Sequence, residues 1–208
     1  MLRRTWISTL GLSLALLAAG TLNAAPPTAE DFVRRLSDEV ISTAGKDSSI
    51  RNGDIAKIRA LVETKVMPHV NFERMTSMAV GPQWRTATPE QHKRMLEEFK
   101  TLMMNTYAGA LMQINDQTVD VKPMRAGSDP SEALVRSLVR GKGDPIQLDY
   151  RLEKSGDAWR IYNVNVGGFW LAEAYKGQFA KDLSDGGLDA LISRLAEKNK
   201  SLAASPKS

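Results

Sequence analysis

The sequence predicts an α+β chain, and three observations carry that expectation. Apolar residues recur at 3.6-residue spacing through residue 114, alternate at every second position in stretches between residues 119 and 166, and return to helical spacing from residue 170. A curved antiparallel sheet with one apolar face needs cover, and the helices before and after it are the elements able to supply it.

The elements follow in order. Phe32, Leu36 and Val40 mark a first helix, and Ile55, Ile58, Leu61, Val62 and Val66 a second, with Gly45, Asp47, Ser48, Ser49, Asn52 and Gly53 forming the turn between them. A short helical piece after Pro68 carries Val70, Phe72, Met75, Met78 and Ala79 and stops at Gly81-Pro82. The next helix start is the most explicit signal in the chain. Thr88 has the side chain of an N-cap, Pro89 suits the first helical position, where no backbone donor is needed, and Gln91 can reach back to the cap amide. The long helix opened there presents a wide stripe of Met95, Leu96, Phe99, Leu102, Met103, Thr106, Tyr107, Ala110, Leu111 and Ile114.

Val119 and Val121 then flank Asp120, residues 134–139 form a mixed strand, and Ile146, Leu148, Tyr150 and Leu152 alternate with Gln147, Asp149, Arg151 and Glu153. Ser155-Gly156-Asp157 turns a hairpin into residues 159–166, where Tyr162, Val164 and Val166 are expected on one face. Helical spacing resumes at Trp170, Leu171, Tyr175 and Phe179, and again at Leu188, Leu191, Ile192 and Leu195 after Gly186-Gly187. Residues 25–200 are expected to form one domain and residues 201–208 a disordered tail.

The first 24 residues read as an export signal: Arg3 and Arg4 form a basic start, residues 7–19 are largely apolar, and Leu22-Asn23-Ala24-Ala25 ends in small residues; an uncleaved membrane anchor is the rival, since no charge intervenes between Arg4 and Glu30. The Arg3-Arg4 pair also fits a twin-arginine leader, as any basic start can. Cysteine is absent, which excludes a lipoprotein anchor, a disulfide, a thiol nucleophile and a thiolate metal site. About 180 mature residues must therefore hold together by their apolar core. The formal charge of +4 falls to +2 without Arg3 and Arg4, too little for a nucleic-acid binder. Arg125, Arg136, Arg140, Lys142 and Arg151 leave the strand region mildly basic, which suits a solvated sheet edge, a weak attraction to anionic lipid, or an acidic partner.

Chemical motifs are missing. The two histidines, His69 and His92, sit in different elements without a paired carboxylate motif and read as surface residues. No serine stands in a nucleophile elbow, and no glycine pattern follows a strand to cradle phosphate. The best enzymatic arrangement would use Tyr107, Tyr150 or Tyr162 as donor with Asp149 as base. Alternation sends Asp149 to the face opposite Tyr150, toward solvent, so no catalysis is expected. What remains is an excess of soft apolar side chains, including mature methionines at positions 67, 75, 78, 95, 103, 104, 112 and 124. A wide-striped helix opposite a curved sheet leaves room for a cavity, or packs as ordinary core.

Several pieces, in order after an export signal, resemble the MlaC or toluene-tolerance (Ttg2-type) family. They are Phe72-Glu73-Arg74-Met75, residues 81–91, residues 99–107, Pro145-Ile146-Gln147-Leu148-Asp149-Tyr150, Trp159-Arg160-Ile161-Tyr162, Gly168-Phe169, Gln178-Phe179 and Gly187-Leu188-Asp189-Ala190-Leu191-Ile192. The resemblance covers nearly all of the mature chain. It implies a sheet similar to that of nuclear transport factor 2, with helices enclosing an apolar pocket. It further implies a periplasmic, monomeric carrier that holds phospholipid as cargo, without a cofactor or metal. The implied partners are an inner-membrane Mla ABC transporter complex and an outer-membrane lipoprotein-porin complex, and the implied role is outer-membrane lipid asymmetry. Phe169-Trp170 is bulkier than the Val-Ser often found in the family, and Asn163 stands for a common Asp.

The lipid-binding candidates follow from alternation and the resemblance together. Tyr107 and Phe169 match positions near the family's pocket. Leu148, Tyr150, Val164 and Val166 lie on apolar strand faces, and Phe72, Met75, Phe99, Leu102, Met103 and Leu111 are the helical candidates. Two acyl chains expose roughly 30 methylenes, so carrying them through water uncovered would cost on the order of 20 kcal/mol. A carrier of a hopanoid-type lipid, or an interaction or chaperone module that packs the same stripe as core, are the alternatives.

Overall fold

A helical part, a strand part and a second helical part follow in the order the periodicity predicts, in a computed structural model that describes residues 27–112, 117–124 and 129–204; the turn expected before Ile55 contains a short helix, and Trp170, expected to open a helix, pairs in a strand. The predicted leader, Ile114, Arg125 and the last four residues lie outside the described residues, as do the side chains of Ala110 and Leu111.

Helix α1 (Ala29–Lys46) starts at Thr28, whose hydroxyl accepts from the Asp31 amide at 3.1 Å. Short helices α2 (Ser48–Arg51) and α3 (Ile55–Leu61) follow, and α3 runs on through a π turn, Val62–Val66, and a 3-10 turn, Met67–His69. Asn71 caps α4 (Phe72–Val80), which ends at Gly81, where φ is 77°. After the 3-10 turn Gly81–Thr86 comes α5 (Pro89–Met112). Its start is the predicted reciprocal cap: the Gln91 amide donates to Thr88 Oγ1 at 3.2 Å, and the Thr88 amide donates to Gln91 Oε1 at 2.9 Å.

The strands are β1 (Thr118–Val121), β2 (Glu132–Val135), β3 (Ser137–Arg140), β4 (Ile146–Ser155), β5 (Ala158–Val166) and β6 (Phe169–Trp170). They form one antiparallel sheet in the order β1-β3-β4-β5-β6, with β2 also on β4. The strand expected over residues 134–139 is therefore two. The chain breaks at Arg136 because β2 pairs with residues 150–153 of β4 and β3 with residues 146–147. A second difference is a bulge. Arg151 faces Asn163 whereas Leu152 faces Ile161, so Tyr162 is the extra residue. Its ring lies 3.6 Å beneath the Arg74 guanidinium, on the polar face rather than beside Val164 and Val166.

Helix α6 (Leu171–Ala204) is interrupted at Gly186 and Gly187, the second at φ 68°. It extends through Ser201–Ala204, where a tail was expected. Tyr175, Phe179, Leu188, Leu191, Ile192 and Leu195 of α6 close on Ala79, Val80, Trp84, Met95, Phe99 and Leu102 to make a helical core. A second core lies under the sheet, where Ala29, Phe32 and Val33 of α1 cover Val121, Val135, Tyr150, Leu152, Trp159 and Ile161. Phe72 packs against both cores. Ala44, Ile50, Ile58 and Leu61 form a third, smaller cluster that ties α1, α2 and α3 together.

Both histidines are half-buried rather than superficial. His92 stacks on Trp84 at 4.1 Å and its Nε2 hydrogen-bonds the Trp84 carbonyl at 2.8 Å; His69 meets Phe32 edge-on. Their aromatic neighbours, unseen in the linear spacing, account for the burial.

Candidate functional site

The apolar face of the sheet is closed at one end and open at the other. Along β4, Leu152 has no exposed surface and Tyr150 only 9%, Leu148 is half-buried, and Ile146 is 54% exposed. Strand β5 and the turn after it repeat the gradient, from buried Ile161 through half-buried Val164 and Val166 to Phe169, which is 72% exposed. Register places these residues side by side: Tyr150 pairs with Val164, Leu148 with Val166, and Val166 with Phe169. The strands thus form an apolar ramp rising to the surface at the Gly167-Gly168 turn.

Helix α5 has a gradient of its own. Met95, Phe99 and Leu102 are buried against α6, whereas Met103 and Tyr107 are half-buried. Burial, the largest cause, together with a hydrogen bond to Tyr175, pushes the Tyr107 hydroxyl up to about 12. Tyr150 also rises to about 12, because its burial outweighs hydrogen bonds to Ser37 and Ser137. Both phenols stay neutral at ordinary pH, so Tyr150 gives the ramp a hydroxyl dipole and no charge.

The candidates thus fall into two groups. Leu148, Tyr150, Val164, Val166 and Phe169 share the ramp, while Phe99, Leu102 and half-buried Met103 belong to the helical core. Phe72 bridges the two, Met75 is buried on α4 beside it, and the Leu111 side chain lies outside the described residues. Two clefts among the described residues lie away from the ramp strands, the second reaching Phe72. One of about 590 Å³ opens between α4 and α6 and is lined by Met78, Pro82, Trp84, Arg85 and Lys176; another of about 380 Å³ is lined by Met67, Phe72, Leu96, Lys100 and Arg160. Neither is the deep apolar cavity between α5 and the sheet that the stripe suggested. In this arrangement side chains fill the helical core themselves.

The opposite face of the sheet is a polar seam whose burial and pairing periodicity alone did not show. Asp149 is only 4% exposed and accepts from the Ser137 amide at 3.1 Å and from Gln147, so it anchors β3 rather than pointing to solvent. Arg74 binds Glu132 at 2.7 Å and also Glu153, which Asn71 holds from its other oxygen. Arg151 reaches Glu173 at 2.5 Å and lies over the Trp170 ring, and Asn163 donates to Glu173 at 2.7 Å. The signal was the alternation itself, since Arg151, Glu153, Asn163 and Asn165 all leave the apolar face. No group of three or more His, Cys, Asp or Glu side chains suited to a metal occurs among the described residues, and none of their helices is long and apolar enough to cross a membrane.

Residues 34–197 match the family model described as MlaC protein. The toluene tolerance protein ttg2D of Pseudomonas putida is 26% identical over 180 residues, covering 86% of this chain and 84% of that protein. The intermembrane phospholipid transport system binding protein MlaC of Haemophilus influenzae is 22% identical over 170 residues, covering 80% and 79%. A phospholipid-binding protein from Ralstonia solanacearum, solved in complex with a phospholipid, superposes with a TM-score of 0.82 at 42% identity over 85% of this chain and 99% of its own.

Proposed function

The chain belongs to the MlaC family of phospholipid-binding transport proteins, and from that premise we propose that it is a periplasmic carrier whose cargo lies along the apolar ramp. The observation that carries this reading is the burial gradient. Ordinary core does not leave Leu148, Val164 and Val166 half-covered in register beneath a 72% exposed Phe169. A bound acyl chain supplies the missing cover, at about 0.8 kcal/mol for each methylene taken from water.

Met103 and Tyr107 are the α5 contacts of that cargo in this proposal, and Phe72 stands at its inner end. Phe99, Leu102 and Met75 touch lipid only if α4 and α5 draw away from α6, which would expose the helical core. The carrier would exchange lipid with an inner-membrane ABC transporter complex and an outer-membrane lipoprotein-porin complex, after export directed by its leader. It would work as a monomer, without a cofactor and without chemistry of its own.

Mass spectrometry of organic extracts from the purified protein tests the reading, with Phe169→Glu as the comparison. Stoichiometric diacyl phospholipid is expected from the wild type and none from folded Phe169→Glu, whose carboxylate would have to be desolvated against acyl chains. A wild type that neither carries nor takes up phospholipid would overturn the carrier; a variant that keeps its lipid would overturn Phe169 as the mouth.

A further inference from the structure

The larger cleft has a charge pattern that lipid carriage does not use. Its walls come from α4, the 3-10 turn Gly81–Thr86 and the first turns of α6, and its apolar surface is Met78, Pro82, Trp84 and Ala172. None of Leu148, Val164, Val166 and Phe169 lines it, so it is separate from the ramp. Its charged lining residues are Glu173, Arg85 and Lys176. Glu173 is already held, by Arg151 at 2.5 Å and by Asn163 at 2.7 Å. Arg85 and Lys176 are exposed and make no ion pair or hydrogen bond among the described residues. Two elements far apart in sequence thus bring unmatched cations to one apolar depression, while its carboxylate is neutralised by Arg151 from outside the lining.

The cleft is preformed. Gln83 Nε2 donates to the Leu183 carbonyl at 3.0 Å and ties the turn to α6. His92 holds Trp84 in place, stacked on its ring at 4.1 Å with Nε2 bonded to its carbonyl at 2.8 Å. The chain turns at Gly81 with φ 77°, and the Lys176 stem lies over it, Cε 3.8 Å from where a Cβ would stand.

The donors in the walls decide which kind of anion fits. The Ser77 hydroxyl donates to the Arg74 carbonyl at 2.8 Å, the Gly81 amide donates to the Ser77 carbonyl, the Ala172 amide donates to Asn163 Oδ1 at 3.1 Å, and Pro82 has no amide. A phosphate cradle needs backbone or hydroxyl donors that converge on the anion, and these are committed elsewhere. Two long, separately mounted cations around an apolar floor suit carboxylates set on either side of an apolar side chain. A flat bilayer surface would meet Arg85 and Lys176 but leave the floor uncovered, whereas one protruding side chain fills it.

We propose that this cleft docks an acidic segment of a partner protein. A large apolar side chain of that segment sits on Met78, Pro82 and Trp84, and its flanking carboxylates meet Arg85 and Lys176. The volume of about 590 Å³ lies within the range of pockets that bury a small ligand and takes one aromatic side chain with the backbone beside it. The inference goes beyond the carrier reading, because a partner held here leaves the ramp strands uncovered.

The test is a titration of the isotope-labelled protein, followed at the Trp84 indole signal, with short peptides in which acidic residues flank a central phenylalanine. The comparisons are the same peptide with a central alanine, the same peptide with lysines for the acids, and inorganic phosphate. The acidic phenylalanine peptide should bind, the alanine peptide should bind about tenfold more weakly for the loss of a buried ring, and the lysine peptide should not bind measurably. Arg85→Glu and Lys176→Glu should each weaken the acidic peptide several-fold, more at low salt than at high. Both variants should unfold at the same urea concentration as wild type and retain their carried phospholipid. Wild type that binds the acidic phenylalanine peptide no better than the lysine peptide overturns the proposal, as does binding that is unchanged in both charge-reversal variants. A central alanine that binds as well as phenylalanine, or phosphate that displaces the peptide at equal concentration, makes the cleft a plain anion site and overturns the apolar anchor. Mass spectrometry of bound phospholipid reports on the carrier reading separately, so either reading can fail while the other stands.

Discussion

Phe99→Ala separates packed core from lipid wall. Phe99 has no exposed surface, and its ring meets Phe72 at 5.4 Å, Tyr175 at 4.9 Å and Phe179 at 5.4 Å, the last two edge-on. Truncating a buried phenylalanine costs about 3–5 kcal/mol, and three aromatic neighbours place this one toward the upper end. For a domain of this size that cost is a fall in melting temperature of roughly 6–20 °C. Urea unfolding should show the loss in delipidated protein. It should shrink in lipid-loaded protein only if an acyl chain can fill the space, because a ligand stabilises the state to which it binds better. With α5 packed against α6 as described, the expected cost is the same with and without phospholipid. Phe169→Ala should cost no more than about 0.5 kcal/mol in the delipidated protein, since the ring is 72% exposed. A Phe99→Ala cost below about 1 kcal/mol would refute the claim that the ring holds the helical core together.

Tyr150, raised to about 12 from an unfolded value of 10.0, contributes stability that is present below pH 10 and lost as pH climbs toward 12. Alkaline unfolding should begin in that window, with Tyr107 sharing it, and Tyr150→Phe should lessen the alkaline loss while costing about 1 kcal/mol at neutral pH for its hydrogen bonds. Glu153 shifts the other way. Burial pushes its carboxyl up, but Asn71 and Arg74 outweigh burial and hold it below the usual 4.5. Its contribution is therefore present above pH 4.5 and lost as pH falls further, and Glu153→Gln should flatten the acid limb of an unfolding curve. Gly187 sits at φ 68° and ψ −159°, a region nearly closed to other residues, so Gly187→Ala should cost about 1–3 kcal/mol by urea unfolding. Gly177 provides the contrast. It is helical with open space around its Cα, and Gly177→Ala should gain up to about 1 kcal/mol.

Local chemistry made most of the architecture legible. Thr88, Pro89 and Gln91 specified a helix start because a cap needs only residues three apart, and Gly186-Gly187 specified a break because the backbone there requires a conformation that glycine alone adopts readily. The division of residues 134–139 and the bulge at Tyr162 were not legible, since both depend on which strand β4 pairs with at each point. Asp149 illustrates the limit on site residues. Alternation placed it opposite Tyr150, but whether that face met water depended on Ser137 and Gln147. Tyr150, Leu148 and Val166 were recognisable as one face; the exposure gradient along it was not, because it is set by how other elements pack over the sheet.

The two faces of the sheet divide the labour in a way that bears on carriage. Helices α4 and α6 are fastened to the polar face: Arg74 to Glu132 and Glu153, Glu173 to Arg151 and Asn163, and the Ala172 amide donates to Asn163 Oδ1 at 3.1 Å. Charged groups at these contacts stay partly exposed, so each pair adds modestly, and the clamp draws its strength from several bonds sharing the same residues. Removing cover from the apolar ramp breaks none of them. A carrier needs this separation. On the proposed reading it binds and releases a large apolar cargo at Leu148, Val164 and Val166 without loosening the helical core around Phe99, and the attachments that hold that core to the sheet lie on the opposite, polar face.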